Sequence, residues 1–162
     1  MSNQGSMAKV KNYILEEIDE DDFSLIALHS SCEPYYLAFL LNSKCQCQFA
    51  QKKEKKEGVK ADHPFESFEW VDPIKGIEIR LFSNRYLKFQ KDVQMGSSLF
   101  DLPETKELYL IQDLKEVDYI IKIDSGIEDR VMIKRIESID QVSYRYLIDQ
   151  SQLKIDSRLN LY

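Results

Sequence analysis

Residues 21–50 read DDFSLIALHSSCEPYYLAFLLNSKCQCQFA, and this stretch decides the fold. FSLIALHSS (23–31) is short, nearly continuous and apolar, the pattern of a strand covered on both faces. Ser30 with Glu33 three residues on fits a capping box, and Pro34 is tolerated in a first helical turn. CEPYYLAFLLNSK (32–44) then carries Tyr36, Leu37, Leu40 and Leu41 at helical spacing. CQCQFAQK (45–52) alternates with period two and predicts a strand with one covered face. The unit is strand–helix–strand.

A second such unit lies 96 positions downstream. VDYIIKIDSGIEDRVMIKRIESIDQVSYRY (117–146) lays over the first without a gap, bringing Asp118 under Asp22, Tyr119 under Phe23 and Ile136 under Leu40. Its helix, residues 127–139, has its spacing in Val131, Met132, Ile136 and Ile139, and a strand follows over 141–149. Duplication and a merely shared period both produce such an overlay. Either way, each helix needs a sheet face to cover its stripe. The expected fold is an α+β two-layer sandwich: a mostly antiparallel sheet with two main helices on one face, ferredoxin-like in plan.

Around these units the pattern is plainer. KVKNYILEEI (9–18) favours a first strand, and Glu16, Glu17, Asp19, Glu20, Asp21 and Asp22 form an acidic turn. The 52–64 stretch is a solvated loop holding Lys52, Lys53, Lys55, Lys56 and Lys60. FESFEWV (65–71) and GIEIRLFSN (76–84) make a hairpin around Asp72-Pro73-Ile74-Lys75-Gly76. Residues 84–106 read as a covering loop with a short helix at 98–101, and two strands, 107–112 and 115–124, follow. The tail 152–162 is a short helix or an edge element.

Composition bounds the function. The chain has 162 residues, 28 acidic against 22 basic side chains, a net charge of −6 and 43 % apolar residues. That is one domain, and its balance argues against phosphate neutralisation as its work, so nucleic acid is not an expected partner. No run of 18 apolar residues occurs, so no membrane helix is expected, and the N-terminus has no signal-peptide profile. Gly5-Ser6 ahead of Met7 reads as a cloning remnant, leaving 7–162 as a single α+β domain. Three cysteines in an unexported chain are read as free thiols, and the expected compartment is the cytoplasm.

Chemistry is sparse. His29, Cys32, Cys45 and Cys47 are the densest group of reactive side chains, but their spacing fits no common zinc module, and they are read as small apolar thiols with no metal or cofactor. Cys32 at a helix start, three residues after His29, is the weak candidate for a thiol nucleophile. No phosphate-cradling glycine motif, zinc-protease helix or serine elbow is present.

At Ile111-Gln112-Asp113-Leu114-Lys115-Glu116-Val117-Asp118-Tyr119 the chain resembles the IPExxxVDY family of bacterial proteins, named for that stretch. Gln112 stands where the family has Pro, and Asp113 where it has Glu. The resemblance extends to the strand–helix start at 24–44 and to the segment 149–161, and it implies no reaction. The motif's own chemistry is a corner between strands: Leu108 and Leu110 can pack with Val117, Tyr119 and Ile121, and Asp118 can accept backbone N–H bonds there. With nine tyrosines, four of them (Tyr35, Tyr36, Tyr144, Tyr146) in the two units, the expected function is a binding or regulatory module. It would act through a protein partner or homodimer. A small-ligand sensor and an enzyme using Cys32 and His29 are the alternatives.

Overall fold

The computed structural model describes residues 22–51, 65–89 and 105–154. The expected strand at 9–18, the acidic turn up to Asp21, the lysine loop, the helix at 98–101 and the tail past 154 lie outside them. The described chain is α+β, as the spacing predicts: a six-stranded antiparallel sheet, a second two-stranded sheet and two α-helices.

In chain order the elements are β1 (Ser24–Ser30), α1 (Pro34–Lys44), β2 (Ala50–Gln51), β3 (Ser67–Asp72), β4 (Ile77–Ser83), β5 (Arg85–Phe89), β6 (Thr105–Tyr109), β7 (Tyr119–Ser125), α2 (Asp129–Ile136) and β8 (Val142–Leu147). The large sheet runs β2-β3-β4-β7-β1-β8, and β5 pairs with β6 alone. Every pair is antiparallel, so β7 and β8 are parallel strands separated by β1. The second unit is thus a split strand–helix–strand crossover. The first crosses three strands instead, since β2 lies beyond β7, β4 and β3.

Each face of the sheet has its own core. Rows such as Ile26–Ile121–Leu81–Phe68 carry one face across four strands. Against it pack Leu37, Leu40 and Leu41 of α1 and Met132 and Ile136 of α2. Both helices therefore cover one face, as expected. The opposite face holds Leu25, Ala27, Phe82 and Ile120. It is closed by Leu110, Ile111, Val117, Ile148 and Leu153, from the segments that follow β6 and β8. The sheet is sandwiched on both sides, which explains why Leu25 to Leu28 are all fully buried. Four consecutive apolar residues on a strand require two dry faces.

Several local expectations are corrected. Residues 45–49 are not a strand: Gln46 takes a left-handed φ of 58°, and the N–H groups of Cys45 and Cys47 turn back to the Leu41 carbonyl. Period-two burial persists, because Cys45, Cys47 and Phe49 all point inward. Asn42 supplies the missing strand partner. Its Oδ1 accepts the Phe49 N–H (2.8 Å) and its Nδ2 donates to the Phe49 carbonyl (2.9 Å). The capping box does not form either. The helix begins at Pro34 with Glu33 as an N-cap whose side chain makes no cap bond, so Cys32 precedes the helix.

Ser30 Oγ instead accepts the Cys32 N–H (3.2 Å) and donates to the Gln141 carbonyl (2.8 Å). Residues 107–112 split between β6 and a 3-10 turn at Gln112–Leu114. Part of the undecided stretch is β5. In α2 the expected stripe keeps Met132 and Ile136, while Val131 faces out. The turn before α2 is tight: Gly126 has φ 100°, and a Cβ there would meet the Ile77 backbone at 2.7 Å.

Candidate functional site

The motif segment 111–119 has a structural job at every buried position. Ile111 and Val117 are fully buried in the core of the helix-free face. Between them the chain makes one 3-10 turn, and its polar backbone must be satisfied against a dry surface. Asn84, wholly buried at the end of β4, does this. Its Nδ2 donates to the carbonyls of Leu114 (2.7 Å) and Val117 (2.9 Å), and its Oδ1 accepts the Ile111 N–H (2.9 Å). Its own N–H and carbonyl bond Asp118 O and Leu110 N. Asn84 is the residue that sequence reasoning missed. A polar residue ending an apolar strand was its only signal.

Asp118 and Tyr119 face the corner between β1 and α1. Asp118 Oδ2 accepts the Ser30 N–H at 2.9 Å, where the β1–β8 register slips between His29 and Ser30. Its Oδ1 pairs with Arg85 Nη2 at 3.4 Å. Tyr119 is buried, and its hydroxyl donates to the Cys32 carbonyl. Burial pushes its phenol above the ordinary range, reinforced by the negative charges of Glu33, Asp118, Cys32 and Glu66. The expected packing of Leu110 and Val117 with Tyr119 and Ile121 is corrected here. The first pair lies in one core and the second in the other, with the sheet between them. Gln112 is exposed, and Asp113 Oδ2 accepts the Lys154 N–H at 3.0 Å, tying the motif to the end of the described chain.

The reactive group does not converge. His29 follows Leu25 and Ala27 on the helix-free face, its ring 5.7 Å from those of Tyr144 and Tyr146. Its Nε2 is buried without a hydrogen-bond partner. Cys32, Cys45 and Cys47 belong to the helix-side core. The sheet separates imidazole from thiols, so neither a Cys32–His29 dyad nor a four-donor metal set is assembled. Burial, chiefly, pushes the Cys47 thiol up to about 12 and raises Cys45 as well, the opposite of what a nucleophile or metal ligand needs. Among the described residues no three His, Cys, Asp or Glu side chains group as a metal site.

What the fold presents outward is different in kind. Over 34–41 α1 is apolar on both sides: its inner face fills the core, while Tyr35, Tyr36 and Phe39 are 57 %, 48 % and 61 % exposed. The rings of Tyr36 and Phe39 stack at 6.4 Å with planes 14° apart. Tyr35 is fixed edge-on to Phe68 and by Gln51 Nε2, which donates to its hydroxyl. On the helix-free face, Arg80 and Lys122 sit opposite each other on β4 and β7. Glu78 pairs with Arg80 (3.0 Å) and Asp124 with Lys122 (2.9 Å). Arg80 Nε and Asp124 Oδ2 are buried there without hydrogen-bond partners. Among the described residues no helix is long and apolar enough to cross a membrane. Compared with known proteins, the chain matches no family model, no curated protein and no solved structure.

Proposed function

We propose that the protein works by contact, as a binding or regulatory module that docks a protein partner on the outer face of α1. One observation carries this: Tyr35, Tyr36 and Phe39 stand about half exposed on a helix whose other face already fills the core. A surface helix ordinarily turns charge outward, and exposed contiguous apolar rings mark interaction sites. Aromatic residues are also the type that interfaces concentrate. Membership of the IPExxxVDY family is part of the same reading, resting on Ile111 and Val117-Asp118-Tyr119.

The test is a pull-down from host cytosol with the wild type beside a Tyr36→Lys, Phe39→Lys double variant. A protein enriched by the wild type and lost with the variant, at an unchanged melting temperature, is the expected result. Equal capture by both, or capture by neither, overturns the reading.

A second reading, a small-ligand sensor, draws on the charged row across β4 and β7. Its unpartnered Arg80 Nε and Asp124 Oδ2 offer one donor and one acceptor on neighbouring strands. A melting screen against metabolites carrying both a donor and an anionic group tests it. No upward shift removes it.

A further inference from the structure

β8 ends the six-stranded sheet, and β1 is its one neighbour among the described residues. At the opposite edge the described residues show two strand residues, Ala50 and Gln51, whereas β8 has six and contains neither proline nor lysine. Natural edges of that length are ordinarily blunted by such devices, because they are templates for another strand. The direction of its free groups can be read. Ile148 N–H donates to the Leu25 carbonyl at 2.8 Å, so by alternation Tyr146 also faces β1. Arg145, Leu147 and Asp149 then direct their backbone groups away from the sheet. The Asp149 carbonyl already accepts the Gln152 N–H, which leaves its N–H as the outward donor.

We propose that this edge seats a second copy of the same chain, paired antiparallel about a two-fold axis at Leu147. The inference rests on the reading that the protein acts by contact, and it names one partner, the chain itself. Charge selects the register. An axis at Arg145 would set two guanidinium groups opposite each other. An axis at Tyr144 would run its rungs into Ser143, the extra residue where the β1–β8 register slips. An axis at Leu147 sets Arg145 of each copy opposite the partner's Asp149, and opposite charges directly across a strand pair stabilise it.

The groups at that register are prepared for it. The Ser151 hydroxyl and N–H hold the Asp149 carboxyl below its ordinary range, so it is anionic. Arg145 already leans toward Glu137 at 3.7 Å on the same side. Leu147, 40 % exposed in one copy, meets its own image and becomes covered. The two Leu147 residues exchange two backbone bonds, and each Asp149 N–H reaches the facing Arg145 carbonyl. The same surface patch serves both copies, as closed two-fold dimers require.

Sedimentation of the full chain over a concentration series is the primary test, with the sedimenting mass rising to twice that of one chain. Arg145→Asp sets two carboxylates against each other and weakens the dimer by roughly tenfold or more. Adding Asp149→Arg to it restores the dimer. Leu147→Cys, on the axis, forms a disulfide between copies under mild oxidation, whereas Arg145→Cys and the wild type do not. A monomer at every concentration overturns the proposal, as does cross-linking through Arg145→Cys in place of Leu147→Cys. A dimer kept by Arg145→Asp but lost by the Tyr36→Lys, Phe39→Lys variant refutes the β8 edge while leaving α1 as the contact face. A β8 dimer beside a failed pull-down does the reverse.

Discussion

Replacing Asn84 with alanine removes a side chain that makes three hydrogen bonds to the motif segment. Three bonds disappear together: those to Ile111 N (2.9 Å), Leu114 O (2.7 Å) and Val117 O (2.9 Å). Their losses are unequal. The Leu114 carbonyl keeps the Val117 N–H as a second partner at 3.1 Å, so it is not orphaned. The Ile111 N–H and the Val117 carbonyl are left unpaired in a site where Ile111 and Val117 have no exposure. An unsatisfied buried group costs about 1–3 kcal/mol, so two of them cost about 2–5 kcal/mol after partial relaxation.

For a chain of this size each kcal/mol moves the melting temperature by about 2–4 °C, and the fall should exceed about 5 °C. Urea unfolding followed through Trp70, which is buried in the opposite core, reports whether the loss is global. Asn84→Asp gives an internal check, because it keeps the acceptor and loses both donors. A carboxylate facing two carbonyls is held above its ordinary pKa, so its protonated form is the one that fits. The variant's deficit should therefore shrink as pH falls through the carboxylate range. A loss below about 1 kcal/mol for Asn84→Ala would show that segment 111–117 is held by its apolar contacts alone, and the polar argument would be wrong.

The remaining predictions concern the thiols and the buried phenol. In the native protein at pH 8 a haloacetamide should label Cys32 and spare Cys45 and Cys47, since burial keeps the latter pair protonated; intact mass should then read one adduct, and three in denaturant. Early labelling of Cys47 would contradict its placement. Tyr119 is raised above its unfolded value, so its contribution is complete below about pH 10 and lost as pH climbs beyond it. Tyr119→Phe should cost about 0.5–1.5 kcal/mol at pH 7 through the lost bond to the Cys32 carbonyl, and should flatten the alkaline decline of stability. A variant with the same alkaline slope as the wild type would remove Tyr119 from that account.

The legible and illegible parts of this chain divide by the range of the interaction. FSLIALHSS announced a strand buried on both faces because such burial leaves a continuous apolar run, and β1 lies in the sheet between β7 and β8. The helices were legible from spacing, but the side of α1 on which Tyr36 falls was not. An apolar residue on the outer face of a helix has the same letter as one on the inner face. The alternation of Cys45, Cys47 and Phe49 was read correctly as burial and wrongly as a strand. A single side chain, Asn42, replaces the strand partner there, and nothing in periodicity distinguishes the two. Asn84 could not be found from local pattern, since its three partners lie 27 to 33 positions away. His29 and Cys32 look adjacent in sequence, yet strand alternation sends the imidazole to one face and the chain's turn sends the thiol to the other.

The overlay of the two strand–helix–strand units also bears on why β8 has one neighbour among the described residues. β1 and β7 are antiparallel neighbours, so equal units would place each return strand beside the other unit's first strand. The second unit does so: β8 lies beside β1. In the first unit the place beside β7 is taken by β4, the second arm of a hairpin that lies outside both overlaid units. The return strand of the first unit, β2, is displaced past that hairpin to the far edge, where Ala50 and Gln51 are its described residues. Among the described residues β8 is the longer edge, and beyond the irregularity at Ser143 its outward groups at Arg145 and Leu147 follow in regular alternation. The row of outward groups on β8, with opposite charges at Arg145 and Asp149 on either side of Leu147, is the feature on which the proposed pairing with a second copy rests.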